Sequence, residues 1–174
     1  MGRAKKKKQK KAEQTKEKTS GKAIRLITHN RKAKHLYSFD QEIEAGLVLT
    51  GTEVKSCRAN KVNLSDAYAD EKNGEYFLRQ ADIAQYKYGH QSNHEPKRSR
   101  KLLLKQTEIN KLFGKTREKG LTLVPIKMYF KGPWVKVLLG LGKGKKLHDK
   151  RASLRDKVHQ REIERGLKSR KGKI

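Results

Sequence analysis

One cysteine in 174 residues, Cys57, excludes an internal disulfide and any zinc site built on several thiolates, and it agrees with a reducing compartment. Acids are scarce too: 18 Asp and Glu stand against 45 Lys and Arg, a formal net charge of +27. A surplus of that size calls for a polyanion. Nucleic acid is the leading candidate, because neutralising phosphates releases condensed counterions and supplies affinity that does not depend on sequence. An acidic membrane surface is the competitor, and three absences argue against it. There is no run of about 18 apolar residues, no apolar signal core after the first lysines, and no myristoylation pattern, since Lys6 stands where a hydroxyl residue is required. A cytoplasmic chain is expected.

The marks of catalysis are also missing. The chain has no phosphate-cradling glycine loop, no nucleophile elbow and no paired-histidine helix motif. In "GHQSNHE", His90 and His94 have metal-like spacing, but no second ligand pair lies nearby, so a polar loop without metal is the reading. Cys57 follows the helical "EVKS" at a position that can face the core, and reads as a buried structural thiol rather than a nucleophile. A binding module without enzymatic activity or cofactor is therefore expected.

What is present is divided by charge into three parts. Residues 1–22 carry ten Lys/Arg against two acids and almost nothing apolar, which reads as a disordered basic arm. Residues 143–174 carry thirteen against four and read as a basic tail, while residues 23–142 carry twenty-two against twelve together with the aromatics. Only this middle part can bury a core, and its size is that of one small domain.

Its apolar pattern alternates. "WVKVLLGLG" places Val135, Val137, Leu139 and Leu141 on one face and Trp134, Lys136 and Leu138 on the other, the pattern of a strand. "GLTLVPIKMYF" is β-like as well, and the "KGP" between them predicts a hairpin, with Pro125 marking an edge position or a bulge. "AYADEKNGEYFLRQADI" predicts a second hairpin on Asn73-Gly74, a dipeptide suited to a type I′ turn. "HLYSFD" and "EAGLVLTG" read as two more strands. Helices are expected after Thr52 in "TEVKSCRAN", and in "TEINKLFGK", with Thr107 as N-cap and Ile109, Leu112 and Phe113 on one face. The fold class is mainly β: an OB-fold-like small antiparallel β-barrel with two or three short helices, between basic flexible tails. Such barrels are frequent oligonucleotide platforms, although a fold alone does not establish function.

Four stretches carry a more specific signal: "NRKAKHLYSFDQEIEAGLVLTGTEVKSCRANKVNLSDAY", "NHEPKRSRKLLL", "EKGLTLVP" and "GKGKKLHDKR". Together, and in this order from about Asn30 to Arg151, they resemble the small protein B family, the SsrA-binding proteins that partner transfer-messenger RNA. The resemblance implies an OB-fold barrel, no enzymatic activity, and a role in trans-translation, the rescue of ribosomes stalled on messages lacking a stop codon. It also implies that Asn30, Glu44, Leu103 and Lys136 grip the elbow of the tRNA-like domain, with Arg31, Lys32 and Lys101 grouped with them as RNA-binding residues. Splayed bases can be hydrogen-bonded by an amide or carboxylate and packed on an apolar side chain, while lysine neutralises phosphate. Glu44 is the most telling, because a carboxylate facing RNA repels phosphate and belongs there to accept hydrogen bonds from a base edge. Taken singly, Asn30 also reads as a turn cap, Glu44 as a solvated strand-end acid, Leu103 as a core leucine and Lys136 as one surface lysine among many.

For "GKGKKLHDKR" the resemblance implies a tail that enters the ribosome and acts in the decoding region, helical in the empty message channel. Gly144 would supply the bend, Lys145 and Lys146 would hold ribosomal RNA phosphates, His148 would stack on a base, and Asp149, Lys150 and Arg151 would make more specific polar contacts. Downstream, "ASLRDKVHQREIERGLK" has helix formers with Leu154 and Val158, then Ile163 and Leu167, four apart, and is expected to order on RNA. Gly166, Cys57, Asn60 and the long basic N-terminal arm depart from the family pattern. The implied partners are transfer-messenger RNA and the small-subunit RNA of the ribosome, with elongation factor Tu a candidate third through the shared RNA complex. A ribosomal or assembly protein on structured ribosomal RNA is the rival reading. A nuclease using His148 with Asp149 is disfavoured, because neighbouring side chains in a flexible tail lack fixed geometry.

Overall fold

The structure, a computed structural model, describes residues 24–89, 91, 93–116 and 120–146. The N-terminal arm, His90, and the tail from residue 147 with its expected helix lie outside the described residues. In chain order the elements are β1 (Ile24–His29), α1 (Ala33–Leu36), β2 (Tyr37–Leu47), α2 (Gly51–Arg58), β3 (Val62–Asn63), β4 (Tyr68–Lys72), β5 (Glu75–Arg79), β6 (Asp82–Ile83), β7 (Arg100–Leu103), α3 (Gln106–Thr116), β8 (Leu121–Lys131) and β9 (Trp134–Gly144).

Among the described residues all strand pairs are antiparallel; β3 and β6 pair apart, and six of the other seven strands close on themselves. From β8 the order runs β4, β5, β7, β2 and β9, and β9 pairs back onto β8. This is a small barrel, the class that the alternation predicted. β1 is an addition: it pairs with β8 from Lys127 to Lys131, beyond the point where β4 meets the same strand edge at Leu123. A register shift between Pro125 and Lys127 separates the two halves of β8. Pro125 thus marks a bulge, one of the two alternatives, in a strand with neighbours on both edges. Having no N–H, it sits where the ladder is already interrupted.

Two hairpins form as expected. Asn73 and Gly74 both take positive φ, 55° and 78°, as a type I′ turn requires. β9 buries Val135, Val137, Leu139 and Leu141, while Trp134 is exposed. They pack with Leu78, Ile83, Leu123 and Met128 into one continuous core. Truncating one of the leucines, Ile83 or Met128 to alanine costs about 2–5 kcal/mol.

Three expectations are corrected in detail. "HLYSFD" and "EAGLVLTG" are not two strands but one, β2, because a bulge between Phe39 and Gln41 absorbs the break in alternation. The helix expected after Thr52 starts at Gly51 with Thr50 as its cap, since Glu53 folds back to accept from the Thr50 N–H at 2.7 Å. Thr107 lies inside α3, whose first turn is closed by Glu108 accepting from the Lys105 N–H at 2.9 Å. Leu112 of α3 is buried, whereas Phe113 is more than a third exposed.

α2 is tied to β7 by a buried ion pair. Arg100 Nε donates to Glu53 Oε1 at 2.8 Å, and both side chains are fully buried. The remaining guanidinium N–H groups reach the carbonyls of Ala81, Pro96 and Arg98, and Arg98 itself donates to both Glu53 oxygens. Burial pushes the Glu53 pKa up, but the Arg98 bond, the Thr50 N–H and the Arg100 charge outweigh it and hold the carboxyl below its ordinary value. Burial pulls Arg100 down against the opposing charge of Glu53, and an arginine nonetheless stays protonated at working pH. Beside this pair Cys57 is fully buried, and burial with the Glu53 charge pushes its thiol up to about 12. It is a packed thiol, not a thiolate nucleophile.

Glu53→Gln leaves Arg100 without its counter-charge and should cost about 3–5 kcal/mol in urea unfolding at pH 7. Because the folded pKa is depressed, the wild-type contribution is complete above the unfolded value of about 4.3 and is lost as pH falls through the folded value. The glutamine variant should show a shallower acid loss; equal slopes for the two proteins would contradict this assignment.

Candidate nucleic-acid interface

The register of β9 with its two neighbours carries outward side chains of five strands into rows. Leu103 on β7 lies opposite Gly46 on β2, Gly46 opposite Lys136 on β9, Lys136 opposite Tyr129 on β8, and Tyr129 opposite Leu26 on β1. A parallel row runs Glu44, Leu138, Lys127 and His29, and a third joins Trp134, Lys131 and Ile24. Glu44, Leu103 and Lys136, far apart in sequence, therefore share one outer face.

The face mixes charge with bare apolar surface. Leu103 is 54% exposed, Leu26 53% and Trp134 64%, more than packing against the core needs. Leu103 leans across β2, because residue 46 is glycine: a Cβ there would stand 3.2 Å from the Leu103 Cβ. A leucine held flat against a strand offers a base a fixed apolar surface.

Glu44 is pinned rather than free. Tyr129 Oη donates to its Oε2 at 2.5 Å, Lys131 Nζ reaches both oxygens at 3.1 and 3.2 Å, and Lys136 Nζ lies 3.8 Å from Oε1. The Tyr129 hydroxyl is the main cause that holds the Glu44 pKa below its ordinary value; partial burial opposes it, and Lys131 and Lys136 add to it. The same contact, after burial, pushes Tyr129 up to about 12, so the phenol stays a donor. Lys127 lies over the Tyr129 ring, 5.5 Å from its centre. Glu44 is thus an ionised acceptor in a basic field, aimed by donors but with a third of its side chain still open.

Asn30 plays a different part. It is buried, with Nδ2 donating to the carbonyls of Leu64 at 2.8 Å and Pro125 at 3.2 Å, and Oδ1 accepting from the Ala33 N–H at 3.1 Å. It caps the chain reversal where β1 leaves β8, satisfying the carbonyl at the Pro125 bulge. Its neighbours Arg31 and Lys32 are exposed at that corner, one turn from His29 and Lys127. Lys101 faces outward two residues before Leu103 and is ion-paired with Glu75.

The tail leaves from the same corner. Gly144 is the last residue of β9, opposite Tyr37, and it is not among the glycines with positive φ. The Lys145 N–H donates to the Leu36 carbonyl at 2.8 Å and its Nζ to the Lys34 carbonyl at 3.2 Å, so α1 anchors the start of the tail. Lys146 is exposed, and His148, Asp149, Lys150 and Arg151 lie outside the described residues.

His94, half of the metal-like pair, is buried with both ring nitrogens engaged, Nδ1 with the Thr52 hydroxyl and Nε2 with the Ile83 carbonyl, each at 2.9 Å. Neither nitrogen is open to a metal. Sequence reasoning passed over Tyr129, Lys131 and Leu26. The alternation of "IKMYFK" places Lys127, Tyr129 and Lys131 on one side, so this face was legible once the strand register was known.

Tyr129→Phe should leave the fold intact and move the Glu44 pKa up toward its ordinary value, read by NMR titration of the carboxyl carbon. An unchanged Glu44 titration would mean that the phenol does not set its charge.

The comparisons with known proteins fit this chain over most of its length. The family model described as "SmpB protein" matches residues 27–169. An "SsrA-binding protein" of Trichormus variabilis is 55% identical over 148 residues, covering 84% of this chain and 96% of the relative. One of Shouchella clausii is 52% identical over 154 residues, covering 88% and 97%. A solved chain reported as "tmRNA-SmpB: a journey to the center of the bacterial ribosome" superposes with a TM-score of 0.60 at 48% identity, covering 69% of this chain and 85% of its own. With four-fifths of its residues inside the family match, and more than half of the aligned positions identical in each of these relatives, this chain belongs to the SmpB family of SsrA-binding proteins.

Proposed function

We propose that this protein binds the tRNA-like domain of transfer-messenger RNA through the outer face of β7, β2, β9, β8 and β1, and delivers that RNA to stalled ribosomes for trans-translation. The observation that carries the reading is the convergence of Glu44, Leu103 and Lys136 on one face, in a chain whose relatives are SsrA-binding proteins. Lys136 and Lys131 neutralise phosphate, Leu103 packs against an unstacked base, and the oriented Glu44 carboxylate, which repels phosphate, accepts from the N–H groups of a base edge. Asn30 acts from beneath: it fixes the corner that presents Arg31 and Lys32.

The tail is the second working part. Gly144 ends β9 opposite Tyr37, and the tail leaves after Lys145 is anchored on α1; Lys145 and Lys146 meet ribosomal RNA phosphates, and His148, Asp149, Lys150 and Arg151 act in the decoding region, with the remainder helical in the empty message channel. The functional division is an N-terminal basic arm over residues 1–22, an RNA-binding barrel over 23–142 and a tail over 143–174, the strand itself running two residues further. The protein is a binding factor rather than an enzyme. It works in the cytoplasm with the ribosome, and elongation factor Tu joins through the shared RNA. No helix among the described residues is long and apolar enough to cross a membrane.

Capture of the tagged protein from its own cells in about 0.3 M salt, where weak phosphate contacts are suppressed, should retain one dominant RNA with a tRNA-like end. Ribosomal RNA fragments alone would instead favour a ribosomal or assembly protein. Asp149→Ala should abolish peptide tagging on stalled ribosomes while binding to the tRNA-like RNA stays within about twofold, since about 0.4 kcal/mol separates such affinities. Parallel loss of both activities would defeat the division of labour between barrel and tail.

A further inference from the structure

Outside this face, a loop between β6 and β7 carries an aromatic cluster that the proposed function does not use. Tyr86 and Tyr88 meet edge to face, ring centres 5.6 Å apart and planes at 67°. Lys55 of α2 lies 5.0 Å from the centre of the Tyr86 ring, and Lys87 lies 5.6 Å from that of Tyr88. Tyr88 is 67% exposed, so its ring adds little to the core. None of these four residues belongs to the strands of the outer face.

The loop is built to hold this arrangement. Asn93 accepts from the Tyr86 N–H at 3.1 Å and donates to the Tyr86 carbonyl at 2.8 Å, gripping the backbone of one tyrosine from both sides. The Gly89 N–H donates to the same carbonyl at 2.9 Å, and a Cβ at Gly89 would come within 2.8 Å of the Asn93 amide. His94 then ties the loop to Thr52 at the start of α2 and to Ile83. These polar bonds and the close glycine approach fix a half-buried ring, Tyr86, against an exposed one, Tyr88.

An exposed aromatic ring braced by a half-buried one and flanked by ammonium groups is a surface on which bases stack while their phosphates are neutralised. The neighbouring groove, of about 540 Å³, is lined by Asp82, Ala84, Gln85, Glu95, Pro96 and Lys97. Its two carboxylates would repel the continuous phosphates of a duplex, but they can accept from the N–H groups on the edges of unpaired bases. We propose that Tyr86 and Tyr88, with Lys55 and Lys87, form a second RNA site that takes one or two unpaired nucleotides by stacking. Those nucleotides come either from a single-stranded part of the carried RNA or from ribosomal RNA.

The test uses the full chain and a fluorescein-labelled octaadenylate at about 0.3 M salt, followed by anisotropy, and does not depend on the partner assigned to the outer face. Tyr86→Ala with Tyr88→Ala should weaken binding about tenfold or more, whereas the double phenylalanine variant should bind within about twofold of wild type, because stacking needs the ring and not the hydroxyl. Lys55→Ala with Lys87→Ala should instead flatten the salt dependence, by about 0.7 in logarithmic slope for each phosphate that is no longer neutralised. Thermal melting by circular dichroism checks the fold of each variant. Tyr88→Ala alone, at an exposed position, gives a severalfold loss if the double variant does not fold. Unchanged affinity in the alanine variants, or equal loss in the phenylalanine variant, overturns the proposal. Photocrosslinking of 4-thiouridine-labelled transfer-messenger RNA and of labelled ribosomes identifies the source, a link to the Tyr86–Tyr88 peptide in either supporting the site and a link in neither overturning it.

Discussion

The register of β9 is the constraint on which the rest depends. This strand pairs along nearly its whole length with β2 on one side and β8 on the other, and so closes the barrel. Its inward residues Val135, Val137, Leu139 and Leu141 enter the core, and a slip by one position would turn all four to water. The same register therefore places Lys136 between Gly46 and Tyr129 and brings Glu44 within reach of Tyr129 and Lys131. Burial on one face fixes which side chains share the other, the face proposed to bind RNA.

Charge alone would make this protein a general polyanion binder. Against a net charge of +27, one oriented carboxylate is a small term in attraction, and in the proposed function its weight lies in discrimination. Glu44 can serve that purpose because Tyr129 and Lys131 keep it ionised and aimed before any RNA arrives, so little ordering is needed on binding. The buried pair of Glu53 and Arg100 is the counterpart inside the fold: two ionised groups fixed by geometry, where the surroundings rather than the charge count decide the effect.

Much of this was legible in the sequence, for reasons that can be named. β9 alternates cleanly, Asn73-Gly74 demands its turn, and Pro125 announces an interruption, so both hairpins could be read locally. β1 and β7 could not. Ile24 and Leu26 of β1 are exposed while Ile27 is buried, because a bulge between Leu26 and Thr28 breaks the period, and β7 buries an arginine beside a leucine. Arg100 looks like surface charge until Glu53, 47 positions away, is placed against it. Asn30 likewise reads as a contact residue in the family pattern, and its burial under Leu64 and Pro125 depends on pairings that no local window contains. The tyrosine loop was passed over because the adjoining "GHQSNHE" read only as a polar loop, and the ring geometry appears only when Asn93 and His94 are in place.

The central claim is that Glu44 selects RNA rather than merely tolerating it, and its most direct test is the ratio of two affinities at about 0.3 M salt: the tRNA-like domain against an unrelated hairpin of equal length, for wild type and Glu44→Ala. Removing an acid from a basic surface should tighten binding to any RNA by simple electrostatics. This account predicts that the hairpin gains slightly while the tRNA-like domain loses about tenfold, the worth of a charge-assisted hydrogen bond of roughly 1.5 kcal/mol. Tighter binding of both RNAs by the same factor would contradict it and return Glu44 to the role of a surface acid.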